Sequence, residues 1–236
     1  MHSDGLCVKL NRYIEKGEAR EMQTMEGWLI DWKQAVQDAF GTRVQFLGIQ
    51  GSAARGEATP DSDWDLVVLL DQIDYKDVEQ YASVIKPWGQ ERRLCGFFGG
   101  VQELKQWDRG ELLSFYFDTT PIAGNIDWIL PLLTREEAGR AVQTGCCTIY
   151  HMCVHNAIFE RDRGIQKELC KQALFTLRAL HYQRTGNYPR TKHELREQLQ
   201  GDDAAFIDLL DRGWEAMSLD EVSQRLLAWA KETLCQ

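Results

Sequence analysis

Between two short apolar runs, Val44 to Ile49 and Trp64 to Leu70, the chain reads Gly51-Ser52-Ala53-Ala54-Arg55-Gly56-Glu57 and, a little further on, Asp63-Trp64-Asp65. A Gly-Ser turn after a strand leaves backbone N–H groups and a hydroxyl free to face an anion, and the small Ala53-Ala54 pair permits a close helix start. That chemistry suits a phosphate. Asp63 and Asp65 stand two apart, so on a strand their carboxylates share one face while Trp64 and Leu66 point into the core. Two parallel carboxylates repel unless a cation joins them. Hard oxygen ligands suit Mg²⁺, which keeps waters and shares its shell with substrate phosphates.

A third carboxylate is expected on a neighbouring strand, and there are two candidates, Asp118 and Asp127. Asp127 is preferred: in Asn125-Ile-Asp-Trp-Ile-Leu130 it reads as mid-strand among apolar neighbours, where a metal would compensate its charge. Asp118 precedes Thr119-Thr120-Pro121, a hairpin position where a solvated carboxylate needs no function. Arg55 either contacts phosphate or pairs on the surface with Glu57 or Asp61. Lys167 and Lys171, one helical turn apart, are within reach of a triphosphate across a cleft or are solvated surface lysines. His151 and His155 lie near Cys146, Cys147 and Cys153 but lack a closing ligand pair at zinc spacing, so they read as packing.

Positioning these groups requires a small sheet. Strands are expected at 44–49, 64–70, 94–98, 112–117 and 126–130, each short, rich in branched or aromatic residues and bounded by turn formers. Apolar residues at helical spacing over 8–39 predict one or two opening helices, and Tyr75 to Lys86 predicts another. After Pro131 the pattern turns helical, with expected helices near 145–161, 165–184, 191–199, 203–212 and 218–234. The expected architecture is α/β (α+β): a mixed-sheet domain over 1–133, then an all-α bundle over 134–236.

Apolar residues at 44% and charged residues at 27% are ordinary for a globular protein and argue against disorder. The formal charge of -9 argues against gripping long nucleic acid and favours cationic small molecules. Seven cysteines without framework spacing fit reduced thiols, and no apolar run is long enough to span a membrane, so a cytoplasmic protein, monomer or homodimer, is expected.

The Gly51-Ser52 turn followed by Asp63-x-Asp65 resembles the signature of the DNA-polymerase-β-like nucleotidyltransferases. The run from Gly110 to Leu133, with Ile-Asp-Trp-Ile-Leu-Pro, is similar to antibiotic nucleotidyltransferases that adenylylate streptomycin or lincosamides. From Lys171 onward, the segment containing Leu-Arg-Ala-Leu-His-Tyr-Gln-Arg-Thr-Gly-Asn-Tyr-Pro-Arg-Thr-Lys resembles the helical domain attached to many such proteins. The resemblance implies that Ser52 and the nearby backbone at Gly51 hold the β- and γ-phosphates of a nucleoside triphosphate, with Arg55 and Lys171 the further candidates for phosphate contact. It implies that Asp63 and Asp65 bind two Mg²⁺ ions, and that Asp127 completes one site and draws the proton from an acceptor hydroxyl. The implied reaction is in-line attack on the α-phosphorus with pyrophosphate leaving, most simply AMP transfer to an aminoglycoside or lincosamide. Two alternatives stay open: an antitoxin-type protein AMPylator, and a nucleotide-binding module without turnover.

Overall fold

The computed structural model describes residues 19–59, 62–89, 93–211 and 213–235, with side chains from residue 27. Helix α1 (Ala19–Phe40) places Trp28, Trp32, Val36 and Phe40 on one buried stripe, each a turn from the next. The part of the expected opening helix before residue 19 lies outside the described residues. Strand β1 (Val44–Gln50) runs through a short helix α2 (Gly51–Arg55) to its antiparallel partner β2 (Trp64–Leu70), with Gln50 opposite Asp65. Helix α3 (Tyr75–Gly89) then crosses to β3 (Leu94–Gly100), which lies parallel to β2. A turn of helix α4 (Val101–Leu104) and helix α5 (Arg109–Asp118) lead to β4 (Thr120–Ala123), antiparallel to β1. The mixed sheet has the order β3-β2-β1-β4.

Strand alternation divides β2 between two packed faces. Leu66, Val68 and Leu70 join Trp32 and Phe40 of α1, whereas Val67 and Leu69 join Leu112 of α5 and the residues of the following helices. Asp65 has the parity of Val67. The sheet therefore presents its acid toward the later helices.

Two expected strands are not strands. Residues 112–117 lie inside α5, started by Asp108, whose Oδ1 accepts from the backbone N–H groups of Gly110 and Glu111. Its aromatic residues look strand-like because the helix is packed on several sides: Phe115 meets Phe97 edge-on and Phe117 stacks on Tyr188. Residues 126–130 enter a 3₁₀ turn, Asp127–Leu132, that contains Pro131 and follows Gly124 at φ +74°. Asp127 is therefore exposed at the start of a turn, not held mid-strand.

The remaining chain is helical: α6 (Arg135–His155), a π turn (Asn156–Glu160), α7 (Arg163–Thr185), α8 (Lys192–Gln198), α9 (Gly201–Asp211) and α10 (Leu219–Leu234). Helix α6 starts earlier than its apolar spacing predicts because Thr134 caps it, its Oγ1 accepting from Glu137 N at 3.2 Å. Capping boxes Thr191/Glu194 and Ser218/Glu221 set the starts of α8 and α10. One buried cluster runs without a break from Phe46 in the sheet to Ala230 in α10. Among the described residues no helix is long and apolar enough to cross a membrane.

Candidate functional site

The end of β1 and the start of β2 meet at Gly51. Its φ of +69° is left-handed, which lets the strand turn directly into α2, and a Cβ there would run into Asp65 Oδ2. The Asp65 carboxylate thus lies against the Gly51 backbone. Gly56, at φ +72°, closes α2, and Glu57 N then donates to Ser52 O at 2.8 Å.

Asp65 is half-buried and Asp63, just ahead of β2, is exposed. Burial pushes the Asp65 carboxyl above its ordinary value and the neighbouring Asp63 charge pushes the same way, while a Cys95 hydrogen bond, Arg55 and Lys171 oppose them. Among the described residues no group of three or more His, Cys, Asp or Glu side chains could enclose a metal ion. Two hard carboxylates in mutual repulsion, with an open side, fit a cation that takes its remaining ligands from phosphate and water.

A cavity of about 480 Å³ opens beside Asp65. Gln50, Gly51 and Arg55 line it from the sheet, Glu111, Phe115 and Asp118 from α5, and Phe175 from α7. Gln50 is fixed by donating to Thr119 Oγ1 at 2.7 Å.

Below this cavity the charges are unusual. Arg55, with its side chain only 10% exposed, donates from Nε to Glu57 Oε2 at 2.9 Å, and its Nη1 lies 3.6 Å from Asp118 Oδ1. Arg178 of α7 is fully buried, with Nη1 3.7 Å from the same oxygen and its guanidinium over the Phe175 ring. Tyr188 donates its hydroxyl to Asp118 Oδ2 at 3.2 Å, and Arg190 donates to Thr120 Oγ1 at 2.8 Å. Arg55 Nη1, Arg190 Nε, Asp118 Oδ1 and all three guanidinium nitrogens of Arg178 are buried without a hydrogen-bond partner among the described residues. Burial holds the Asp118 carboxyl above its ordinary value despite the pull of Arg178, Arg55, Tyr188 and Arg190. Buried donors of this kind are costly unless an acceptor meets them.

The fold thus brings together Gly51, Arg55 and Asp65, with Ser52 and Asp63 adjacent in sequence and Lys171 near enough to bias Asp65 electrostatically. Lys171 is exposed and also pairs with Glu168 at 2.9 Å. Arg55 is a buried group bridging Glu57 and Asp118, where a surface pair with Glu57 or Asp61 was one expectation; Asp61 lies outside the described residues. The carboxylate expected from a neighbouring strand is absent from β1, β3 and β4, and the residue beside Asp65 on β3 is Cys95. Asp127 does not line the cavity; Tyr116 donates its hydroxyl to Asp127 Oδ1 at 3.3 Å. Asp118, read as a solvated hairpin acid, is instead buried against the arginines because α5 carries it inward. Arg178, Tyr188 and Arg190, which lie in the segment that resembles the family's helical domain, have no site role in the sequence alone. The available signal was Arg178 itself, a charge within the apolar stripe Leu174, Leu177 and Leu180 of α7.

Residues 30–109 match the family model described as a nucleotidyltransferase domain, a span that includes the Gly51 turn and both Asp63 and Asp65. No curated protein matches the sequence. Among solved structures, the chain is similar to spectinomycin adenyltransferase AAD(9) from Enterococcus faecialis, solved with ATP and spectinomycin. The TM-score is 0.53 at 13% identity, covering 88% of this chain and 99% of that one, so what the two share is the fold.

Proposed function

Since the chain carries a nucleotidyltransferase domain within a fold like that of an antibiotic adenyltransferase, we propose that it transfers a nucleoside monophosphate, AMP by preference, to a hydroxyl of a small molecule. One observation carries this reading: Arg55, with Nη1 buried and unpartnered, lines the cavity that Gly51 and Asp65 also line, and behind its Asp118 wall stands Arg178, whose guanidinium has no hydrogen-bond partner among the described residues. A triphosphate supplies the acceptor oxygens and negative charge that these donors lack. Ser52 and Lys171 would complete the phosphate contacts from either side.

Asp63 and Asp65 would hold Mg²⁺, which when bound offsets phosphate charge and orients the α-phosphorus. The acceptor oxygen attacks that phosphorus, the bond to the β-phosphate oxygen breaks, and pyrophosphate leaves. Glu111 is the carboxylate we assign to receive the acceptor's proton, since it lines the cavity and is exposed. The aromatic wall of Phe97, Trp107 and Phe115, with Glu111, suits an amine-bearing acceptor such as an aminoglycoside, an aminocyclitol like the spectinomycin of the structural neighbour, or a lincosamide. A division into a nucleotidyltransferase domain over 1–133 and a helical domain over 134–236 accords with every described strand ending by Ala123 and with Thr134 capping α6.

A second reading, nucleotide binding without turnover, is favoured by Cys95 standing beside Asp65 where a strand carboxylate was expected. One assay separates them: pyrophosphate release with Mg²⁺, each nucleoside triphosphate and a panel of spectinomycin, streptomycin and lincomycin, beside calorimetric titration with a non-hydrolysable ATP analogue. Release with wild type and its loss in Glu111→Gln, with analogue binding intact, supports transfer. Binding without release under every condition selects the second reading, and no binding overturns both.

A further inference from the structure

Asp118 is an odd residue for its place. It ends α5, where the helix dipole is negative and an acid is locally unfavourable, and it is buried, where an acid requires partners. Its partners are nevertheless poorly engaged: Arg55 Nη1 and Arg178 Nη1 lie 3.6 and 3.7 Å from Oδ1, and neither they nor Oδ1 makes a hydrogen bond among the described residues. Only Oδ2 has a directed contact, from Tyr188, which is held in place by its stack on Phe117. The carboxylate neutralises the arginines by proximity without consuming their donors.

The charges explain why such an arrangement persists. Arg55, Arg178 and Arg190 bring three positive charges to a buried region, and Glu57 and Asp118 return two negative ones. Without Asp118 the cluster would hold an uncompensated excess away from water, a condition buried charge tolerates badly. With it, the excess in the free protein falls from two positive charges to one, and the donors remain open.

Resting on the reading that this cavity receives a triphosphate, we propose that Asp118 is a built-in stand-in for a phosphate. It keeps Arg55, Arg178 and Arg190 gathered in the free protein and competes with an incoming polyphosphate for them. Asp118 is thus a positioning residue that sets affinity: it exchanges part of the attraction for phosphate against a partly neutralised pocket.

The test uses inorganic tripolyphosphate, which needs neither a base nor an acceptor, in calorimetry and thermal melting of wild type and Asp118→Asn. The expected result is binding roughly tenfold tighter in the variant, because one negative charge near the phosphates is gone. The variant should gain more from added tripolyphosphate than wild type does, since tighter binding to the folded state shifts its midpoint further. If Asp118→Asn folds only with tripolyphosphate present, that dependence supports the proposal equally. Unchanged or weaker binding in the variant, a variant that does not fold even with tripolyphosphate, or a wild type that ignores tripolyphosphate overturns it. Failure of nucleotidyl transfer with tripolyphosphate binding intact would count against the proposed activity and leave Asp118's role standing. Conversely, transfer by wild type with equal tripolyphosphate affinity in both proteins would remove only the role of Asp118.

Discussion

The β1/β2 pair carries arginine and carboxylate groups at each end, and the two are built in opposite ways. At the end where β1 begins and β2 finishes, Arg43 donates to both oxygens of Asp77 at 2.6 and 2.8 Å, to Asp71 at 3.1 Å and to Gln72 O at 2.8 Å. At the end where β1 finishes and β2 begins, the Arg178 guanidinium and Arg55 Nη1 have no hydrogen-bond partner among the described residues. Arg43 is partly exposed and its guanidinium is satisfied by the protein itself; Arg178 is fully buried and is not. A cluster that serves the fold closes its hydrogen bonds, whereas one that serves a ligand holds donors open at a cost in stability. The same sheet therefore has a structural end and a receptive end.

The contrast breaks most visibly at the carboxylates. Asp65→Asn should lower pyrophosphate release by about 10²–10³-fold, the usual loss when a group that stabilises transition-state charge is removed. Its thermal midpoint at neutral pH should equal or exceed that of wild type, because burial and Asp63 raise the Asp65 carboxyl and its ionisation therefore opposes folding. Asp77→Asn at the structural end should do the reverse, lowering the midpoint and leaving turnover intact. If Asp65→Asn melts lower and retains activity, the receptive end is misassigned.

Next in size is the arginine pair. Arg178→Met should weaken binding of a non-hydrolysable ATP analogue by roughly 10–100-fold, as expected for charged hydrogen bonds lost to phosphate. Its midpoint should hold, since Arg55 and Arg190 still face Asp118. Arg43→Met should lose stability and keep analogue affinity. Equal affinity in wild type and Arg178→Met, measured by calorimetry, would show that the open donors face no phosphate.

How much of this was legible in the sequence follows from the range of the interactions involved. The Gly51 turn, β1, β2, β3 and the Asp63-x-Asp65 pair are local patterns, and the structure has the strands where the patterns put them. The later part of the sheet domain was misread because α5 is apolar on several faces, having the sheet on one side and α6 and Tyr188 on others, so its sequence lacks the periodicity that marks a half-exposed helix. The arginine cluster joins residues 55, 118, 178 and 190, brought together only by the packing of α5 and α7 on the sheet. Nothing local in Arg190 or Tyr188 announces that meeting.

A smaller effect separates the two ends by pH. The Arg43 hydrogen bond holds the Asp77 carboxyl below its ordinary 3.8, so ionised Asp77 favours the folded state above that value, and this contribution fades as pH falls through the lowered one. The stability deficit of Arg43→Met relative to wild type should therefore be full at neutral pH and shrink in acid below about pH 3.8. Asp118 shifts the other way: burial raises it, so its ionisation costs stability as pH climbs from 3.8 through the raised value. Chemical denaturation across the acid range reads both, and a deficit in Arg43→Met that persists undiminished at low pH would remove the ion pair as its source.

The smallest expected effect belongs to Asp127, and it bears directly on where the receptive end stops. A strand over 126–130 would have turned this acid toward Asp65, and the loss of Asp127 would then abolish transfer. Instead Gly124 bends the chain, Pro131 sits within the 3₁₀ turn, and Asp127 faces outward with a single side-chain contact from Tyr116. Its backbone N–H donates to Asn125 Oδ1 at 3.3 Å, a local bond that survives side-chain truncation. Exposed substitutions away from a site change free energies by about 0.5 kcal/mol or less, so Asp127→Ala should keep turnover within roughly twofold. The charge of Asp127 adds to burial in raising the Tyr116 hydroxyl, so the same variant should lower the pH at which Tyr116 ionises, readable by ultraviolet titration against Tyr116→Phe. That shift with activity retained would confine the receptive end to Gly51, Arg55, Asp65, Asp118 and Arg178. Abolished transfer in Asp127→Ala, with analogue binding unchanged, would extend it to the 3₁₀ turn and restore Asp127 as the acid nearest the acceptor.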